Sequence, residues 1–108
     1  MTQFDDRERA FESKFAHDEQ MKFRAVARRN RLLGEWAARL MGLSAEETAS
    51  YAKDVVRADF EEAGDGDVIR KLIGDLTAAG VEIDEERIQE ALENKTIEAQ
   101  RQIMEEQS

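Results

Sequence analysis

From about residue 20 onward, apolar side chains return every three or four positions, and no run alternates long enough to suggest a strand. Four such stretches follow one another. Over about 20–41 the apolar face carries Val26, Leu33, Trp36, Ala37 and Leu40, and over about 45–63 it carries Ala45, Ala49, Ala52, Val55, Val56 and Phe60. The third stretch, about 67–79, has the broadest stripe, with Val68, Ile69, Leu72, Ile73, Leu76 and Ala79. A thinner stripe of Ile88, Ala91, Leu92, Ala99 and Ile103 runs through about 85–105, as suits a helix partly sunk into a core. Four amphipathic helices with short connections predict an all-α, four-helix bundle over residues 20–108.

Local chemistry marks the joints. Gly42 follows the end of the first stretch, and Ser44 with Glu47 three residues on can cap the next helix reciprocally. Gly64 and Gly66 interrupt the second stretch, with Asp65 or Asp67 placed to cap the third, which Gly80 then closes. Asp84 is set to cap the last helix, whose first turn gathers Glu85 and Glu86 where helix polarity favours negative charge. Ile83 can staple against Ile88 across that turn.

Residues 1–19 stand apart. Phe4, Phe11 and Phe15 fall at i, i+7 and i+11, within about 40° of one another on a helical wheel. Charged residues surround them, and neither Leu, Ile nor Val joins the stripe. Phe23 lies about 100° out of phase, so the stripe does not run on into the bundle face. A segment this short is marginal as an isolated helix, below the roughly 12 to 15 residues that hold alone. It is expected to be a mobile or partly helical N-terminal arm that orders on a partner groove.

Composition reinforces the fold and narrows the chemistry. Proline and cysteine are absent and only 6 glycines occur in 108 residues, which favours helix and excludes disulfides and thiol chemistry. No stretch approaches the roughly 20 apolar residues of a membrane span. The start MTQFDDRERA carries charges where a signal peptide would be apolar, so a soluble, cytoplasmic chain is expected. The formal charge is −9 and lies wholly in residues 55–108, with 15 acidic and 6 basic groups, while residues 1–54 balance at 10 and 10. Such a surface repels nucleic-acid phosphate and anionic lipid.

Catalytic constellations do not assemble. His17 is the single histidine, so neither a Ser-His-Asp triad nor a multi-histidine metal site can form within one chain. Asp65-Gly66-Asp67 resembles the opening of a calcium loop, but the twelve-residue spacing of donors that such a loop needs fails. The glycines match neither the Walker loop nor the dinucleotide fingerprint. One basic cluster, Arg28, Arg29, Asn30 and Arg31 with Trp36 nearby, could hold an anionic nucleotide or an acidic partner surface. A solvated helix face with Trp36 in the core explains it more simply.

The strings FDDRERAFESKFAHDEQMKFRAVARRNRLLGEWAARLMGL and VVRADFEEAGDGDVIRKLIGDL closely resemble the ATPase inhibitor subunit zeta of alphaproteobacterial F-type ATP synthases. The resemblance spans nearly the whole chain and is least distinctive from about Glu82 onward. It implies a regulatory protein, not an enzyme: a helical bundle whose N-terminal segment blocks ATP hydrolysis at a catalytic interface of the soluble head, near the rotating central stalk. On this sequence the inhibitory region corresponds to about residues 1–19. Within it, Phe4, Phe11 and Phe15 are expected to enter apolar pockets, and Asp5, Arg7, Glu8, Arg9 and Lys14 to fix register by charge pairing. The expected location is cytoplasmic, peripheral to the membrane-bound synthase. No resident cofactor is implied. Similarity to the family also suggests weak adenine-nucleotide binding in the bundle, for which Arg28, Arg29, Arg31 and Trp36 are the one match on the residues.

Overall fold

The computed structural model describes residues 19–58 and 66–106. They form four helices: α1 (Glu19–Leu40), α2 (Ala45–Ala58), α3 (Gly66–Ala78) and α4 (Glu85–Glu106). No strand occurs among the described residues. The all-α, four-helix expectation is therefore met, while Phe60, Gly64 and Asp65 lie outside the described residues.

At the α1–α2 and α3–α4 joints, backbone and side-chain chemistry act as the sequence suggests. After α1, the Leu43 amide donates to Ala38 O and the Gly42 amide to Arg39 O, both at 3.1 Å. This paired reversal needs a left-handed residue, and Gly42 supplies it at φ 74°. The end of α3 repeats the motif, with Val81 donating to Leu76 O at 2.9 Å, Gly80 to Thr77 O at 3.0 Å, and Gly80 at φ 82°. At the start of α2 the Ser44 amide donates to Glu47 Oε1 at 2.9 Å and the Glu47 amide to Ser44 Oγ at 3.1 Å, a complete capping box. Asp84 caps α4 by accepting the Arg87 amide at 2.9 Å.

Helix α1 is the central element and packs extensively along both α2 and α4. The short α3 lies across one end, touching α1, α2 and α4. Leu33, Ala37, Val55, Val68, Leu72, Leu76, Ile88 and Ala91 form the main core there, with Trp36, Tyr51, Ile69, Ile73 and Leu92 packed against it. At the other end, Met21, Ala25 and Ile103 make a separate small cluster with Met104. Ile83 joins Ile88 in the main core, on the side where a hydrophobic staple would place it.

Several expected core positions are exposed, each for a geometric reason. Leu40 is 42% exposed because it is the last residue of α1, where the chain turns away. Ala45 and Ala49 are exposed in the opening turns of α2. Ala79 follows the last residue of α3 and belongs to the turn. Met21, Ala25 and Ala38 take up burial instead, together with the polar Arg29 and Asn30.

Candidate functional site

Among the described residues no group of three His, Cys, Asp or Glu side chains could hold a metal ion. Among them, too, no helix is long and apolar enough to cross a membrane. A hollow lined by Glu82, Ile83, Asp84, Glu86, Arg87 and Glu90 precedes and flanks the start of α4. It is open and acidic, with its four carboxylates on exposed residues.

The more informative surface is a ridge on α1. Arg24, Arg28 and Arg31 stand at i, i+4 and i+7, which places them on one helix face. Arg28 reaches the last turn of α4: its guanidinium donates to Glu106 at 2.6 and 3.1 Å and to Gln102 Oε1 at 2.9 Å. Arg24 approaches the same carboxylate at 3.5 Å. Hydrogen bonding from Arg28 holds the Glu106 carboxyl below its ordinary range, and the charges of Arg28, Arg24 and Arg31 act in the same direction. The same hydrogen bond raises Arg28 in turn, against a smaller opposing effect of burial.

Neighbouring residues behave differently. Arg29 is only 7% exposed and donates from Nε and one terminal nitrogen to Asn30 Oδ1 at 3.0 and 2.9 Å. Asn30 is 1% exposed, and its Nδ2 has no acceptor among the described residues. Along α1 this polar pair stands between Ala25 of the small cluster and Leu33 of the main core. Trp36 is partly buried against the main core.

The four residues singled out for nucleotide binding thus go separate ways. Arg28 is engaged with α4, Arg29 is interior, Arg31 is exposed and Trp36 packs inward. The basic cluster is also not a uniformly solvated face, because Arg29 is buried. Sequence reasoning does not reveal Glu106 as the carboxylate that Arg28 and Arg24 share. The i, i+4, i+7 spacing of Arg24, Arg28 and Arg31 was a visible signal for the ridge, but which acid meets it depends on the antiparallel pairing of α1 with α4. Phe4, Asp5, Arg7, Glu8, Arg9, Phe11, Lys14 and Phe15 lie outside the described residues, as does His17.

Comparison with known proteins gives the site a context. The profile of a protein family described as ATPase inhibitor subunit zeta matches residues 1–102. No curated protein matches the chain. A protein whose structure was determined by solution NMR is 44% identical, with a match covering 80% of this chain and 98% of that one, at a TM-score of 0.72.

Proposed function

Because the chain belongs to the ATPase inhibitor subunit zeta family, whose members inhibit rather than catalyse, we propose that it blocks ATP hydrolysis by inserting residues 1–19 into an F-type ATP synthase. The arm enters at a catalytic interface of the soluble head near the central stalk. It acts there as a steric stop to rotation in the hydrolytic direction. The protein works on the cytoplasmic side, peripheral to the membrane-bound enzyme.

The observation that carries this reading is the stripe of Phe4, Phe11 and Phe15, set among charges and directly preceding the central helix of the bundle. Three aromatic rings on one helical face offer apolar anchors, and the surrounding acids and bases offer register. Support also comes from the place where the arm joins the fold. Helix α1 starts at Glu19, at the end of the described bundle where Arg24 meets Glu106 of α4, so residues 1–19 lead in sequence into that end. An element that spans the bundle as α1 does gives an inserted arm a firm base.

The alternative, control through adenine-nucleotide binding by the bundle, has weaker support. Of its four candidate residues Arg28 and Arg31 share a face, but Arg29 is buried, Trp36 packs against the core, and Arg28 already holds a carboxylate.

The reading is tested by substitution within the arm. Truncating a buried aromatic anchor costs about 2 kcal/mol or more, whereas a rim charge changes mainly association rate and salt dependence. Phe11→Ala is expected to weaken inhibition of the isolated soluble head far more than Glu12→Ala. Equal, small effects of the two would contradict insertion of the Phe face.

A further inference from the structure

Charge is distributed unevenly over this molecule. Within α1, the sequence EQMKFRAVARRNRLLGEWAARL carries six basic and two acidic residues, a balance of +4 in a chain whose total is −9. The positive charge is therefore gathered on one helix while the rest of the chain is strongly acidic. Opposite charges elsewhere in the fold answer it only in part. Along the exposed ridge, three guanidinium groups face one carboxylate, Glu106. The side chain of Arg24 is 48% exposed, and Arg31 is exposed and makes no ion pair among the described residues.

The ridge also follows residues 1–19 closely in the sequence. At a rise of 1.5 Å per residue, Arg24 stands about 8 Å and Arg31 about 18 Å along the axis from Glu19. A surface that receives residues 1–19 would meet this face of α1 next. Glu106 shows what the ridge accepts: a carboxylate on the last turn of a helix, taken by two nitrogens of Arg28 at 2.6 and 3.1 Å with Arg24 at 3.5 Å. Guanidinium groups suit such planar, two-point recognition.

We propose that Arg24, Arg28 and Arg31 form a second contact with the ATPase head, accepting acidic side chains of that partner, and that Glu106 is an internal stand-in which those side chains displace or join. The inference rests on the reading that the head is the partner, and it adds a bundle contact to the arm contact. In the free protein, Glu106 quenches part of the ridge and slows capture. In the complex, the partner's carboxylates engage Arg24 and Arg31 while the arm supplies the apolar anchors. Electrostatic contacts of this kind set association rate and its dependence on salt more than they set final affinity.

The test uses the full chain and the isolated soluble head of the cognate ATP synthase, with association followed over a range of salt concentrations and inhibition of ATP hydrolysis read in parallel. The double substitution Arg24→Gln, Arg31→Gln is expected to slow association about fivefold at low salt and to flatten the salt dependence, the two proteins converging at high salt. Glu106→Gln is expected to speed association about twofold. Association of the double variant at the wild-type rate across all salt concentrations would overturn the ridge contact, while inhibition lost in Phe11→Ala would leave the arm standing. Binding of the full chain without inhibition would remove the arm mechanism and leave the ridge to be judged on the rates. A full chain that neither binds nor inhibits removes both. If the double variant binds the head normally but loses binding of ATP or inorganic phosphate, the ridge serves a free anion and the proposal falls.

Discussion

Gly34 of α1 lies so close to α2 that a Cβ built on it would stand 2.8 Å from the Cα of Ala52 and 3.1 Å from a methyl of Val55. The two helix backbones approach through this missing side chain, which is why a glycine is kept inside a helix despite a propensity cost of about 1 kcal/mol. Gly34→Ala recovers that propensity but pushes against backbone that has no flexible end to give way. Overpacking of this sort costs about 1–3 kcal/mol. The variant is expected to be less stable than the parent by denaturant titration, and a neutral or stabilising result would mean that α1 and α2 are further apart than described.

Helix starts should respond to loss of their caps. Asp84 accepts the Arg87 amide at 2.9 Å, and Ser44 accepts the Glu47 amide at 3.1 Å. Asp84→Ala and Ser44→Ala are each expected to cost about 1 kcal/mol. Thermal unfolding followed by far-ultraviolet circular dichroism would detect either. Substitution by Gly should cost less than substitution by Ala.

Tyr51 offers a clean spectroscopic reporter because it is the one tyrosine in the chain. Its hydroxyl donates to Asp75 Oδ2 at 2.7 Å, and Lys71 contributes a hydrogen bond to the same oxygen at 3.0 Å while standing 5.1 Å from the ring centroid. Burial first, and then the hydrogen bond to Asp75, push the phenol far above its ordinary 10.0. The neutral phenol is thus favoured in the folded state. Its stabilisation is fully present below the ordinary value and is lost as pH rises through the folded value. Tyrosinate absorbance should not appear in the folded protein at the ordinary titration point. A normal titration curve in the native protein would contradict the Tyr51–Asp75 contact.

At the acid end the sign reverses. The Arg28 hydrogen bond holds the Glu106 carboxyl below the ordinary 4.5, and hydrogen bonds from Ser44 do the same for Glu47. Contributions from both groups are present above 4.5 and are lost as pH falls through their lowered values. Glu106→Gln should therefore flatten the acid limb of a stability profile. It should also speed amide exchange in the last turns of α4, with little change in the main core around Leu72 and Ile88. Uniform acceleration throughout the protein would mean that the Arg28–Glu106 contact is coupled to global unfolding.

Much of this architecture is legible before any coordinates. Gly42, Gly80, Ser44 and Asp84 act through backbone rules that operate within a few residues, so their roles follow from sequence alone. The broad stripe on α3 fills the core at Val68, Leu72 and Leu76 for the same reason. What escapes is set by long-range pairing. Arg28 and Glu106 are 78 positions apart, and nothing local connects them. The burial of Arg29 and Asn30 is equally hidden, because their residue types argue for solvent and only the placement of neighbouring helices overrides that preference. Gly34 looks like a weak point in a helix until Ala52 is placed beside it.

In the proposed mechanism residues 1–19 carry the inhibition and the bundle carries residues 1–19. The decisive measurement is a titration of ATP hydrolysis by the isolated soluble head with the full chain and with a version beginning at residue 20, whose helical content is checked in parallel. The expected result is inhibition by the full chain alone, with the shortened protein still folded. Equal inhibition by a folded shortened protein would contradict arm insertion and assign the activity to the bundle.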